Sequence, residues 1–288
     1  MKRFSTLIAA AVSVVAFLLS ARTLPLPAVP PSLRTPAERA DYVVMHFWDS
    51  LTVDDALVPD TMALNFANFL SVMPVVSSDS VRAEAAAAAA RAVRCSDDLA
   101  ALFSQTAEDY LFAAASPMRD EALYVAFLRA MIDADFPDRM RSEWMLDMTA
   151  KNMPGTEAAD FSFIDRDGRP GRLSDFAGRP VVLLFYDPSC DVCHRYAAEL
   201  AADVVLGMRV EQGRAAVLAV APGDIDEWRT TEASMPAIWT DACDNGVIDE
   251  EGSYLFATYP SLYLIDAEGL VVLKNTTPRQ LLPVLSTL

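Results

Sequence analysis

An all-α domain followed by an α/β domain is the architecture predicted by this chain of 288 residues. Three observations carry it. From Thr35 to about residue 152, apolar residues recur at helical spacing, with capping residues and prolines at the expected starts. Met153-Pro154-Gly155 breaks that pattern, and the period then shortens to two. Beyond the break, apolar runs at 181–186 and 215–221 alternate with helical segments, the pattern of a sheet with helices packed on its faces.

Composition narrows the class. Hydrophobic residues make up 53% of the chain and charged residues 22%, which is ordinary for a folded globular protein. The net charge of −17 repels phosphate backbones and anionic lipid, so nucleic acid is excluded as a partner. Lys2 and Arg3, an apolar run over 7–19 and Ser20-Ala21-Arg22 together have the three-part form of a secretory signal, expected at residues 1–21. The run is shorter than the ~20 residues of a comfortable span, and membrane contact is expected only if the segment stays uncleaved as an anchor. No cysteine follows the run, so a lipid-modified N-terminus is not supported. Export places the protein in the periplasm or cell envelope, where disulfides persist.

The elements follow in order. Residues 22–36 carry Pro25, Pro27, Pro30, Pro31 and Pro36 and read as an extended linker. The helical domain is expected over 37–152. Thr35-Pro36-Ala37-Glu38 has the form of a capping box with proline in the first turn, and Ala40, Val43, Val44, Phe47, Trp48 and Leu51 form one apolar face behind it. Further helices are predicted at 60–73, 79–94, 97–115, 117–134 and 137–152, two of them started by Pro117 and Pro137. The run of alanines from 85 to 90 predicts a closely packed helix, because Ala has the highest helix propensity.

The second domain is expected over 154–288. It opens with a hairpin turning at Asp167-Gly168 and continues with a strand at 181–187 and a helix from the cysteines to Met208. A strand at 215–221, a helix at 224–232, strands at 261–265 and 270–274, and a last helix from Pro278 complete it.

The chemistry concentrates at Cys190-Asp191-Val192-Cys193-His194, directly after the first buried strand. Two thiols at this spacing close a disulfide when the second lies in the first turn of a helix. The helix N-terminus favours thiolate at Cys190, the expected nucleophile, and Cys193, one turn in and more covered, is the expected resolving thiol. Asp191 opposes a thiolate and His194 favours one, so both are candidate tuning residues. Further along, Tyr259-Pro260 immediately precedes an apolar strand. A trans proline there would simply open an edge strand, whereas a cis bond would aim the Tyr259 backbone toward Cys190.

Residues from about 154 to 288 thus resemble the thioredoxin-like family, in particular exported members similar to cytochrome-maturation thiol reductases. The resemblance rests on the strand, the Cys190-x-x-Cys193 pair at a helix start, the distance along the chain to Tyr259-Pro260, and the closing hairpin at Asp266-Ala267-Glu268-Gly269. It implies a cis bond at Pro260 and contact between Tyr259 and a substrate backbone. The helical half resembles a domain of unknown function that precedes such modules in exported bacterial proteins. Two positions depart from the family pattern. Ser189 replaces the tryptophan usual before the first cysteine, and Leu184 replaces a buried carboxylate six residues before it. Asp187 and Glu199 are the nearby substitutes for proton transfer with Cys193.

The expected function is therefore an exported thiol-disulfide oxidoreductase acting on protein clients in the envelope. It needs no bound cofactor, and a redox partner resets the cysteine pair. Either direction of electron flow is open, since direction depends on potential relative to the compartment. A thioredoxin-fold binding or scaffold module without turnover is the alternative. A c-type haem site through Cys190, Cys193 and His194 is a minor one, because the motif lies between a buried strand and a sheet-directed helix. No ligand spacing for a structural metal is present, and a thiol peroxidase would want threonine where Asp187 stands. Cys95 falls in the helical domain and Cys243 in the loop expected before Tyr259-Pro260, and two readings stand for them: unpaired small hydrophobes, or a structural disulfide joining the domains.

Overall fold

The computed structural model describes residues 22–52, 57–231 and 235–288, so the expected signal at 1–21 lies outside the described residues. The chain divides into two compact units, Met1–Leu146 and Asp147–Leu288.

The first unit is helical throughout its described elements. These are α1 (Pro36–His46), α2 (Pro59–Val72), α3 (Asp79–Val93), α4 (Asp97–Leu111), α5 (Glu121–Asp133) and α6 (Arg139–Ala150), the last running across the division. Local chemistry sets the starts. The capping box at Thr35 and Glu38 forms, and Ser78, Ser96 and Asp120 each accept the amide three residues on. The helix expected from Pro117 begins later, at Glu121: Ser116 Oγ instead accepts the Met118 amide in a turn, and Asp120 supplies the cap. The alanines of α3 serve close packing, since Ala85, Ala86, Ala89 and Ala90 are fully buried in the core. Around them Phe47, Trp48, Phe66, Phe69, Phe103 and Phe127 pack edge to face and tilted.

The second unit is built on one seven-stranded sheet, order β2-β1-β5-β4-β3-β6-β7. The strands are β1 (Ser162–Asp165), β2 (Pro170–Arg172), β3 (Val181–Phe185), β4 (Ala216–Ala221), β5 (Thr240–Cys243), β6 (Ser261–Ile265) and β7 (Val271–Leu273). β3, β4 and β5 are parallel; β1, β2, β6 and β7 join antiparallel. The helices are α7 (Asp191–Ala202), α8 (Val204–Glu211), α9 (Ile225–Thr230), α10 (Val247–Glu251) and α11 (Pro278–Leu285).

Alternation along β3 splits its residues between two cores. Val182 and Leu184 face the core that holds Cys193, Ala197 and Leu200 of α7 and Leu281 of α11, while Leu183 and Phe185 face an aromatic core with Phe161, Phe163 and Tyr254. That second face is covered by the five-residue α10 and by the aromatics of the opening hairpin and the 253–256 loop. Lys274 Nζ donates to the carbonyls of Thr149 and Lys151, and Asn152 bonds Ser253 O and the Ala159 amide. These bonds explain why the end of α6 belongs to the second unit.

Two expectations about this unit are corrected. The cysteine helix does not run to Met208. It stops at Asp203, whose extended backbone and carboxylate, bonded to the Leu206 amide at 2.7 Å, start α8 instead. The start of the cysteine helix agrees with the sequence: Cys190 is the cap, the helix begins at Asp191, and Cys193 lies in the first turn. Cys243 lies at the end of a strand, β5, and not in a loop; four residues with Asp241 among them carry too little alternation to reveal a strand.

Candidate active site

β3 delivers the chain to the site, and α7 leads away from it. Cys190 is the N-cap of α7, with extended backbone, and its Sγ accepts the Cys193 amide at 3.2 Å. The sulfur thereby satisfies one of the free N–H groups of the first turn and sits at the positive end of the helix dipole. Cys190 is half-buried, and Cys193 is 0% exposed.

Both thiols are free. Burial first, then the hydrogen bond with Cys190, pushes the Cys193 thiol up to about 12, with the Asp187 backbone N–H pulling the other way and the Cys190 and Asp187 charges adding to the rise. The pair is therefore asymmetric: an accessible sulfur at the helix start and a protonated one beneath it.

From the other side of the site comes the segment before β6. The Tyr259–Pro260 peptide is cis, and Cys190 Sγ lies 3.9 Å from Tyr259 O. The Tyr259 ring packs against Phe256 at 5.4 Å. Burial, then Asp244, Asp187, Cys193 and Asp249, push its phenol up to about 12.

The remaining sequence candidates separate. Asp187 stays at the site: its backbone O accepts the Cys190 amide at 3.0 Å, and its Oδ1 accepts both the amide and the hydroxyl of Ser189 at 2.7 Å. Glu199 is exposed on α7, where its charge acts on Tyr196. Asp191 is exposed at the first position of α7, and His194 is half-buried, its Nε2 enclosed without a hydrogen-bond partner among the described residues. Leu184 is fully buried, so the strand position that could hold a carboxylate beneath Cys193 is apolar.

Cys95 and Cys243 are each free thiols in this structure. Cys95 is exposed and free. Cys243 is buried and free, its Sγ donating to Gly223 O at 3.3 Å and accepting the Asn245 amide at 3.4 Å, so its hydrogen bonding is complete without a disulfide. A haem linked through Cys193 would require opening the core around that sulfur, and His46, the other histidine, pairs with Asp49 at 2.8 Å. Among the described residues, no group of three or more His, Cys, Asp or Glu side chains is arranged to hold a metal ion, and no helix is long and apolar enough to cross a membrane.

One buried assembly was not legible beforehand. Asp241 on β5, 9% exposed, accepts Tyr186 OH at 2.6 Å and Arg166 Nε at 2.8 Å. Trp228 Nε1 donates to the same Tyr186 oxygen at 3.1 Å, and the Arg166 guanidinium lies 3.9 Å from the Trp228 ring centroid. Tyr186 directly precedes Asp187, so this cluster anchors the chain where β3 turns into the dithiol loop. No spacing rule links positions 166, 186, 228 and 241, which only the sheet brings together.

A cysteine pair capping a helix after a central parallel strand, opposed by a cis-proline segment, defines a thioredoxin-like domain, here preceded by a helical domain. The chain belongs to the family described as domain of unknown function (DUF5106), which matches residues 5–152, and residues 154–274 match the AhpC/TSA family. A thioredoxin-like protein from Bacteroides caccae ATCC 43185 superposes with a TM-score of 0.83 at 25% identity, covering 92% of this chain and 99% of that one. Two shorter structures are also similar. A conserved protein of unknown function from Bacteroides fragilis has a TM-score of 0.44 and 32% identity, over 46% of this chain and 98% of its own. The thioredoxin domain of a thiol-disulfide oxidoreductase from Bacteroides vulgatus has a TM-score of 0.38 and 19% identity, over 47% of this chain and 96% of its own. No curated protein matches the chain.

Proposed function

We propose that this protein is an exported thiol-disulfide oxidoreductase that acts on protein cysteines. The observation that carries the reading is the position of Cys190 Sγ, which accepts the Cys193 amide at the start of α7 and faces Tyr259 O at 3.9 Å. In the reducing direction, the Cys190 thiolate attacks one sulfur of a client disulfide, forming a mixed disulfide and releasing the other client sulfur as a thiolate that takes up a proton. Cys193 then loses its proton and attacks Cys190 Sγ, releasing the second client thiol and leaving Cys190 and Cys193 joined. Two electrons have passed to the client, and a dithiol redox partner returns them to the pair.

Asp187 is the side chain assigned to the Cys193 proton, because its residue stays at the dithiol loop, its backbone oxygen accepting the Cys190 amide at 3.0 Å, while Glu199 is exposed on α7. The Tyr259 carbonyl is assigned to a client backbone N–H, which would replace the Cys190 thiol as its donor. The envelope assignment rests on the signal-like pattern of residues 1–21.

Trapping tests the function. A Cys193→Ser variant expressed in the native cells accumulates mixed disulfides that vanish on reduction and are missing when Cys190 is also replaced by serine. Absence of adducts from Cys193→Ser would instead support a binding module without turnover.

A further inference from the structure

Tyr186 ties the dithiol loop to the sheet through its side chain as well as its backbone. It is buried, and its ring lies in the core that also holds Cys193. Its hydroxyl donates to Asp241 Oδ1 at 2.6 Å and accepts Trp228 Nε1 at 3.1 Å, while its amide donates to Val220 O at 3.0 Å. Asp241 is itself held. Arg166 Nε donates to its Oδ2 at 2.8 Å, and the guanidinium also donates to Trp228 O, Thr231 O and Thr231 Oγ1. Partners from the β1–β2 turn, β5 and α9 therefore converge on one side chain at the end of β3.

Only Asp187, Pro188 and Ser189 separate that side chain from Cys190, and they are bound together. Asp187 O accepts the Cys190 amide at 3.0 Å, and Asp187 Oδ1 accepts the Ser189 amide and hydroxyl at 2.7 Å. The loop thus carries the position of Tyr186 to Cys190 with little slack. What it delivers is directional: Cys190 Sγ meets the Cys193 amide at 3.2 Å, and hydrogen bonds weaken steeply as they lose alignment. Burial of the ring alone would fill the core yet leave the end of β3 free to shift, whereas a satisfied polar network selects one arrangement.

We propose that Tyr186 and Asp241 are positioning residues for the dithiol, and that their hydrogen bond raises the effective concentration of Cys193 toward a sulfur bound at Cys190. The inference rests on the oxidoreductase function proposed above. In the step concerned, a client or glutathione is joined to Cys190 as a mixed disulfide. Cys193 loses its proton and its thiolate attacks Cys190 Sγ; the mixed disulfide breaks, and the departing sulfur leaves as a thiolate that takes up a proton. A pair held in near-attack geometry closes more readily than one whose members wander.

The experiment equilibrates the reduced full-length protein with mixtures of reduced and oxidised glutathione. After acid quenching, peptide mass spectrometry reports the fraction with Cys190 joined to Cys193, and hence the equilibrium constant for closing the pair. Tyr186→Phe keeps the ring and removes the hydroxyl; it is expected to lower the constant about tenfold, making the potential about 30 mV less negative. Gly171→Ala is the comparison, because it strains the edge strand β2 against Phe163 without removing any bond of the network, and it is expected to keep the native constant. Near-ultraviolet circular dichroism checks that each variant is folded, and should Tyr186→Phe not fold, Asp241→Asn is read by the same criterion. A native constant in Tyr186→Phe, or an equal fall in Gly171→Ala, overturns the positioning role while leaving the oxidoreductase function standing. Failure of the native pair to close at any glutathione ratio, in protein whose thiols still titrate, overturns both.

Discussion

Cys190 Sγ accepts the backbone N–H of Cys193 at 3.2 Å, so the first thiol of the pair is the cap of the helix that buries the second. One bond thus joins a local element of secondary structure to the asymmetry of the dithiol. Under the proposed function, substrate chemistry would fall to the capping sulfur, with the buried one held in reserve until a mixed disulfide brings an electrophilic sulfur to it.

That asymmetry predicts an alkylation pattern. In fully reduced native protein at pH 8, iodoacetamide labels Cys95 and Cys190, which are exposed and half-buried, and spares the buried Cys193 and Cys243. Peptide mass spectrometry reads the pattern, and labelling of all four cysteines is expected only in denaturant. After mild oxidation, denatured protein without reductant is expected to retain the two thiols of Cys95 and Cys243, each of which is free in the structure. Loss of those two thiols in the monomer would contradict the structure.

The Cys193 thiol also gives stability a pH dependence. Its ordinary value is 9.0, and the folded state raises it to about 12. Between these values the folded chain keeps a proton that the unfolded chain has lost, so this contribution is complete below pH 9 and declines as pH rises toward 12. The slope from this one group is at most about 1.4 kcal/mol per pH unit. In Cys193→Ala the decline measured by urea unfolding between pH 9 and 11 becomes shallower by up to that amount; an unchanged slope would show that the thiol is not buried as described.

The Asp241 cluster predicts a graded pair of variants. Tyr186→Phe removes one bond to the carboxylate and the acceptor for Trp228 Nε1, at a cost of about 1–3 kcal/mol. Asp241→Ala leaves the Arg166 guanidinium without its carboxylate and costs more, about 3–5 kcal/mol. Urea denaturation ranks the two, and the reverse order would mean that the remaining bonds of Arg166 to Trp228 O, Thr231 O and Thr231 Oγ1 hold the guanidinium well enough without Asp241.

Gly171 on the edge strand β2 lies directly against the Phe163 ring. A Cβ there would come within 2.6 Å of Phe163 Cζ and 2.7 Å of Cε2, and the buried ring is flanked by Phe161 and Phe176. Gly171→Ala is therefore expected to cost about 1–3 kcal/mol through overpacking, measured by thermal or urea unfolding.

Features encoded by neighbouring residues were readable before the fold was known. The capping box at Thr35 and Glu38 needs only four consecutive residues, the apolar run at 181–186 declares a doubly covered strand, and the hairpin at Asp167-Gly168 needs only its turn residues. The redox pair belongs to this group, since Cys190 and Cys193 meet through one helical turn. Where local rules misled, a short polar side chain competed for the backbone: Asp203 ended the cysteine helix, and Asp120 delayed the start of α5.

Everything that needs the sheet stayed out of reach of local pattern. Strand β5 is too short and mixed to declare itself, and its place between β1 and β4 is what sets Asp241 against Tyr186 and Arg166, residues 55 and 75 positions away. The cis geometry at Pro260, one of two conformations open to any such bond, was decided by the fold, as was the approach of Tyr259 O to Cys190 across 69 residues of chain. Hydrogen bonds between neighbours in sequence are chosen within a turn or two of backbone, whereas those across a sheet exist only after chain entropy has been overcome by burial of both faces, so their partners are legible only in three dimensions.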